Sequence, residues 1–291
     1  MKVDLQNLSL ELRQHFLQSA IAPRPICFAS TIDKEGRVNL SPFSFFNLFS
    51  INPPIAVFSP SRRARDGSTK HTLQNVLEVP EVVINIVDRD MIHQTSLASC
   101  EYPKGINEFI KAGFTAEPAD LIKPPRVKES KVNMECRVIE IKALGSEGGS
   151  GNLVICEILR LHINDNILNE NKTIDQTRLH QVARLGGNWY CQVDQKNLFE
   201  IEKPNTKSGI GIDELPDHIR NSEILTGNNL GSLANIHEKP SIDPAFHDEK
   251  MKSIYQYFSV DPAEMEKELH TYAKFLLEQG KVKEAWQVLL G

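Results

Sequence analysis

Residues 39–54 read NLSPFSFFNLFSINPP, and how this stretch folds decides the architecture. It lies inside an uncharged run from Val38 to Ser61. Directly after it comes RRARDGSTKH (62–71), which brings Arg62, Arg63, Arg65 and Lys70 close together. Taken as one strand, residues 43–51 put Phe43, Phe45, Asn47, Phe49 and Ile51 on one face. Ser44, Phe46, Leu48 and Ser50 take the other. Both faces are apolar enough to need cover. One can fill a barrel; the other needs a helix, a ligand or a second subunit. The run is long enough to span a bilayer, but Pro42, Pro53, Pro54 and Pro60 would leave backbone groups unsatisfied in lipid, so no membrane span is expected.

The surrounding sequence reads mainly as β. PICFAST (25–31) is followed by Asp33-Lys34-Glu35-Gly36, a hairpin signal. PPIAVFS (53–59) and EVVINIVD (81–88) are rich in β-branched and aromatic residues. KVNMECRVIEI (131–141) and LVICEILRLHI (153–163) alternate across the loop GSEGGSGN (145–152) and predict an antiparallel pair. Many short strands with few long helices indicate a barrel or sandwich. Helices are predicted in STKHTLQNVLEV, with Leu73, Val76 and Leu77 on one face and Pro80 as the stop, and at 107–112.

The last third changes character. Residues 204–245 are rich in Gly, Pro and Asn. Asp261, Pro262 and Glu264 then signal a helix start, Gly280 ends that helix, and Val282 to Leu289 continue as a second. The division expected is a barrel over 1–203 and a helical C-terminal extension over 204–291. A helical hairpin of this type resembles half of a tetratricopeptide array, but one copy is no array, so an appendage is the expectation.

Composition removes several function classes. The 291 residues carry net charge −5. Residues 1–203 hold 24 basic and 24 acidic side chains, and 204–291 hold 9 and 14, so no basic excess favours nucleic acid. The five cysteines are scattered without C-x-x-C, which suits reduced thiols in a cytoplasmic protein. The start MKVDLQNLSL lacks the apolar segment of a secretory signal. The nine histidines show no metal-site spacing, and His15, His162 and His180 have no partner that sequence identifies.

A helix start flanked by Ser68, Thr69 and several cations suits a phosphate. Beside it, an apolar strand with spare serine and amide groups suits a flat aromatic ring. A flavin mononucleotide has that shape. Pyridoxal phosphate or a nucleotide satisfies the same physics, and haem is a weaker further alternative.

The blocks IAPRPICFAST (21–31), GRVNLSPFSFFN (36–47), NPPIAVFSPSRR (52–63), KHTLQN (70–75), VVIN (82–85), PRVKES (125–130), MEC (134–136) and VARLGGNWY (182–190) occur in one order. That ordered set resembles the flavin reductase-like family, over residues 20 to about 203. The resemblance implies an FMN-binding split β-barrel with flanking helices, a homodimer, and flavin near the subunit interface. It implies FMN contacts from Ser44, Phe46 and Asn47, and from Ser59 and Arg63. Lys70, His71 and Thr72 are expected near the phosphate, where His71 departs from the acid usual in the family. Arg184, Gly186, Gly187 and Tyr190 are expected to complete the pocket.

The implied activity is NADH- or NADPH-dependent reduction of FMN, with electrons passed to a partner monooxygenase or another acceptor. Such chemistry needs positioning more than acid–base groups. The other reading is an FMN carrier or sensor with little NAD(P)H turnover because the C-terminal extension covers the flavin. The GSEGGSGN loop lacks the following helix and Lys-Ser/Thr of a phosphate loop, so it reads as a mobile hairpin loop. Gly209-Ile210-Gly211 reads as a turn. Cys27 reads as a small core residue, and Arg24 as a charge at the pocket mouth.

Overall fold

Ser44 and Phe45 decide how the sheet closes. In the computed structural model, which describes residues 1–201 and 208–291, the 43–51 stretch is not one strand. Strand β3 (Val38–Phe43) stops before the pair, and β4 (Phe46–Ile51) starts after it. They join β2 (Cys27–Ile32), β5 (Pro54–Phe58), β6 (Glu81–Ile86), β9 (Val132–Ala143) and β10 (Asn152–Ile163) in one sheet. The order is β3-β2-β6-β9-β10-β5-β4, so β3 and β4 are its two edges. Laid flat, those edges would stand about 29 Å apart at six strand spacings. The step from Phe43 to Phe46 reaches only about 11 Å. The sheet must therefore curl until its edges meet, which makes a barrel.

Both expected hairpins form. β2 and β3 pair from Cys27↔Phe43 to Ile32↔Val38, around the Asp33–Gly36 turn. β9 and β10 pair over nearly their whole length, with two register shifts. Inside, Cys27, Phe58, Val82, Ile84 and Val154 are among the buried side chains of one cluster. A second cluster, with Ile26, Phe28 and Leu40, lies under the helices α3 (Ile92–Ala98) and α4 (Glu108–Ala112).

Helix α2 (His71–Glu78) begins later than expected, because Ser68 is held back by the Asp66 carboxylate (2.9 Å) in a turn before it. Leu73 and Val76 are buried, whereas Leu77 faces solvent. Helix α1 (Leu10–Ala20), missed in the sequence, buries no residue and is capped by Ser9. Two short ladders complete this part. One is β7 (Ala116–Glu117) with β8 (Arg126–Val127). The other joins β1 (Arg24–Pro25), β11 (Val182–Arg184) and β12 (Tyr190–Gln192). A short helix, α5 (Gln176–Leu179), precedes β11.

The chain divides into two compact units, Met1–Leu198 and Phe199–Gly291. The second is helical: α6 (Asp217–Arg220), α7 (Gly227–Ala234), α8 (Glu249–Tyr257), α9 (Pro262–Glu278) and α10 (Val282–Leu290). α9 starts as read, with Asp261 accepting from the Glu264 amide. Its core centres on Trp286, which donates to the Leu233 carbonyl at 3.1 Å, packed with Leu276, Ala273 and Ile219. Among the described residues no helix is long and apolar enough to cross a membrane.

Candidate functional site

The expected double cover of the apolar strand is absent on the single chain. β4 is an edge, and its Leu48, Phe49 and Ile51 stay exposed, at 51, 68 and 76%. The Ser44–Phe45 bend instead forms part of the wall of a cavity of about 650 Å³. Ser59 and Ser61 line it, as do Arg62, Arg63 and Lys70 from the basic cluster. α1 supplies another wall through Leu10, Arg13 and Leu17.

The backbone around Arg62 is clamped by the β9–β10 loop, expected as a mobile hairpin loop. The Arg62 amide donates to the Ser150 carbonyl (2.9 Å), and the Arg62 carbonyl accepts from the Gly149 amide (3.1 Å). Ser59 Oγ accepts from the Asn152 amide (3.0 Å), and Asn152 Nδ2 donates to the Pro60 carbonyl (2.9 Å). This loop therefore positions the cationic wall.

The cations differ in what they already hold. Arg63 Nη1 donates to Ser68 Oγ (3.0 Å) and the Thr69 carbonyl (2.8 Å). Arg63, Arg65 and Lys70 share the Glu101 carboxylate, at 3.2, 3.4 and 4.0 Å. Burial, and then Arg63, lower the Lys70 pKa, while Glu101 opposes them. Arg62 Nη1 donates to the Gly67 carbonyl (3.0 Å), but its buried Nε has no partner in the described structure. A wall that sets Arg62, Arg63 and Lys70 beside the Ser59 and Ser61 hydroxyls fits a phosphate.

The cavity continues past the bend. Pro42, Phe43, Ser44 and Ser99 also line a second space of about 330 Å³, with Arg184 and Tyr190 beyond them. The Arg184 guanidinium lies 4.4 Å over the Tyr190 ring and donates to the Gly187 carbonyl (2.7 Å). The groove thus gathers Ser44, Ser59, Arg63, Lys70, Arg184 and Tyr190 from the residues singled out in the sequence.

The others have different surroundings. Phe46 packs against the barrel core, and the exposed Asn47 accepts through Oδ1 from the Leu48 amide (2.8 Å). Thr72 is fully buried, and its hydroxyl donates to Asn39 Oδ1 (2.7 Å). Asn39 in turn donates to the buried Glu108 (2.9 Å), so Thr72 ties α2 to β3 and α4. His71 borders a small space beside Asp33 and Arg37, and burial followed by Arg63, Lys104 and Lys70 lowers its pKa. Gly186 packs so close to Ser19 that a Cβ there would collide, and Gly187 has φ +57°. Both glycines shape the loop that carries Arg184. Arg24 is no mouth residue: it is buried, and its guanidinium donates to the carbonyls of Gln18, Ile21 and Leu185.

Two features escaped the sequence. One is the α1 wall, hidden because its apolar residues build no buried stripe. The other is a partner for His162, whose Nε2 lies 2.6 Å from Glu135 Oε1. Asp120 completes a potential metal-ligand trio with them. Glu135 is fully buried and already accepts from the Asp120 and Leu121 amides (2.9 and 2.7 Å), while Arg160 pairs with Asp120 (2.7 Å). Burial would raise the Glu135 pKa, but these hydrogen bonds outweigh it and hold it low. The trio reads as a closed ion-pair network that joins β9, β10 and the 120–121 loop.

Comparison with known proteins bears on this groove. The flavin reductase like domain family matches residues 19–183. An uncharacterized protein of Halalkalibacterium halodurans is 31% identical over 206 residues, covering 70% of this chain and 97% of that protein. The crystal structure of nitrilotriacetate monooxygenase component B from Bacillus cereus is 27% identical, with TM-score 0.65 over 69% of this chain and 98% of its own. A Shewanella frigidimarina structure described as a flavin reductase with a split barrel domain is also 27% identical, with TM-score 0.59 over 68% and 96%.

Proposed function

The chain belongs to the flavin reductase-like family, and from that premise we propose that it is an FMN-dependent NAD(P)H:flavin oxidoreductase. The observation that carries the reading is a cavity of about 650 Å³ in which Ser44, Ser59 and Ser61 stand beside Arg62, Arg63 and Lys70. Arg62, Arg63, Lys70 and Ser59 hold the FMN phosphate, and the Pro42–Phe45 segment beds the ring. Bound there, FMN would supply the redox chemistry that links a nicotinamide donor to an electron acceptor. The protein's part is to hold the phosphate, bed the ring and keep its edge beside open space where a donor can stack.

The acceptor is a partner monooxygenase or another electron acceptor, a reading supported by the monooxygenase-component name of the B. cereus relative. The working form is a cytoplasmic homodimer. The exposed Leu48, Phe49 and Ile51 on an edge strand favour it, since a second copy would take them out of water.

The test is the visible spectrum of the protein reconstituted with FMN, recorded before and after anaerobic NADPH or NADH. Bound flavin that bleaches within seconds supports the reductase. Bound flavin that stays oxidised with both donors points to a carrier, and failure to bind FMN removes both.

A further inference from the structure

The chain has thirteen arginines, and among the described residues eight have a carboxylate within 4.0 Å. The five without one are Arg13, Arg24, Arg62, Arg89 and Arg184. Four of them line one continuous groove. Arg13 and Arg62 stand at the proposed phosphate end. Arg184 and Arg89 stand at the other, in a further space of about 580 Å³ that opens from the Arg184–Tyr190 wall.

That far space is cationic. Arg89, His93 and Arg184 line it with the amides Asn188 and Gln192, and among the described residues no Asp or Glu contributes. The Arg89 side chain makes no hydrogen bond or ion pair among the described residues and is exposed. An arginine spared both a carboxylate and a carbonyl is free to fork onto a phosphate. Arg184 is held in place on Tyr190, so its guanidinium is oriented in advance.

We infer that this end is the subsite for the 2′-phosphate of NADPH, and that the protein prefers NADPH to NADH. The inference rests on the reductase reading above. A donor whose nicotinamide lies over a ring bedded at Pro42–Phe45 must send its other end away from the flavin phosphate. The groove runs on past Ser44 and Ser99 to Arg184 and Arg89. Sites that select NADH commonly place a carboxylate on the adenosine ribose diol, where it repels a 2′-phosphate. Here two guanidiniums and an imidazole line that space and, among the described residues, no acid does; Asp88 and Asp90, which flank Arg89 in the chain, pair with Lys131 at 3.1 and 3.3 Å. Arg89 and Arg184 are positioning and specificity residues for the donor, remote from the FMN phosphate.

The experiment is a titration of the FMN-loaded protein with NADP⁺ and with NAD⁺, read by calorimetry at low and moderate salt. Flavin content and unfolding midpoint are checked in each variant. The expected result is NADP⁺ binding at least tenfold tighter than NAD⁺. Arg89→Ala should remove most of that difference and flatten its salt dependence, with NAD⁺ affinity and flavin content unchanged. Because the Arg89 side chain is exposed and makes no hydrogen bond or ion pair among the described residues, a folding defect is not expected, and Arg89→Lys should restore part of the preference. Equal affinities for the two nucleotides, with a silent Arg89→Ala, overturn the subsite while leaving reduction of the flavin intact. If neither nucleotide binds and neither bleaches the flavin, the reductase reading falls and the subsite with it.

Discussion

Glu101 is the one acid among the residues lining the main cavity, and it engages three cations there. A phosphate held by the same cations must share them with this carboxylate. Replacing it by Gln keeps the shape and removes the charge. If the phosphate sits about 6 Å away, one carboxylate repels a dianion by about 1–2 kcal/mol at near-water dielectric. Against this, Glu101 helps order Arg63, Arg65 and Lys70. It is half exposed, and exposed pairs are worth only about 0–1 kcal/mol each. The net expectation for Glu101→Gln is FMN binding tighter by about 1 kcal/mol, or roughly fivefold. The assay is flavin fluorescence quenching on titrating apoprotein, repeated at high salt, where the gain should shrink. Arg62→Gln is the control and should weaken FMN by tenfold or more. The reasoning is refuted if Glu101→Gln weakens binding, or if Arg62→Gln leaves it unchanged.

Two further outcomes follow from other parts of the chain. Phe49→Asp places a charge on the exposed edge strand. If a second copy covers this site, two buried phenyl rings are lost, at about 1.5–3 kcal/mol each, and sedimentation should show a dimer weakened by about a hundredfold or more. An unchanged sedimentation profile would move the interface elsewhere. In the helical unit, His270 is buried on α9 with its Nδ1 2.8 Å from Ser222 Oγ, 6.2 Å from the His218 ring and 4.0 Å from Glu266. Burial lowers its pKa, Glu266 raises it and His218 lowers it, leaving it below the ordinary value of 6.5. The unfolded chain therefore binds the proton more readily, so His270's contribution is complete above the ordinary histidine pKa. It is lost as pH falls through the folded value. Thermal melts of the full chain should show this loss between neutral and mildly acidic pH, and His270→Gln should flatten it.

The barrel was legible because its strands carry their own signal. PICFAST, EVVINIVD and the 131–163 pair are β-branched runs bounded by turn residues, and each forms a strand near where it was expected. The 43–51 stretch misled because alternation describes a straight strand. Nothing in SPFSFF marks Ser44–Phe45 as the point where one sheet edge hands over to the other. That bend is set by closure of the sheet, a long-range requirement. The site was legible in part for the same reason. Arg62, Arg63 and Lys70 announce themselves by charge and proximity in sequence. Thr72 does not reveal from sequence that its hydroxyl is already bonded to Asn39, thirty-three positions earlier. Arg89 was invisible as a binding residue because in sequence it sits between Asp88 and Asp90, and only the fold shows that both pair with Lys131 and that neither lines the groove.

Closure of the barrel and construction of the groove are the same event. The chain crosses from one sheet edge to the other at Ser44–Phe45, where the Phe45 carbonyl accepts from the Ser59 amide (2.8 Å) and Ser44 lies outside any ladder and lines the cavity. Pairing satisfies a strand's backbone; an unpaired crossing leaves groups available to a ligand. The following segment then returns β5 to β10 and delivers Arg62 and Arg63 beside the gap, where the β9–β10 loop clamps them through Gly149 and Ser150. From the other side, the β11–β12 ladder brings Arg184 and Tyr190 to the same gap. Two cationic ends therefore flank one unpaired crossing, each supplied by a different part of the chain. A ligand pair with a phosphate at each end and two flat rings in the middle meets that arrangement better than a single phosphate ester does. Pyridoxal phosphate would fill the first end and leave Arg89 and Arg184 without an anion.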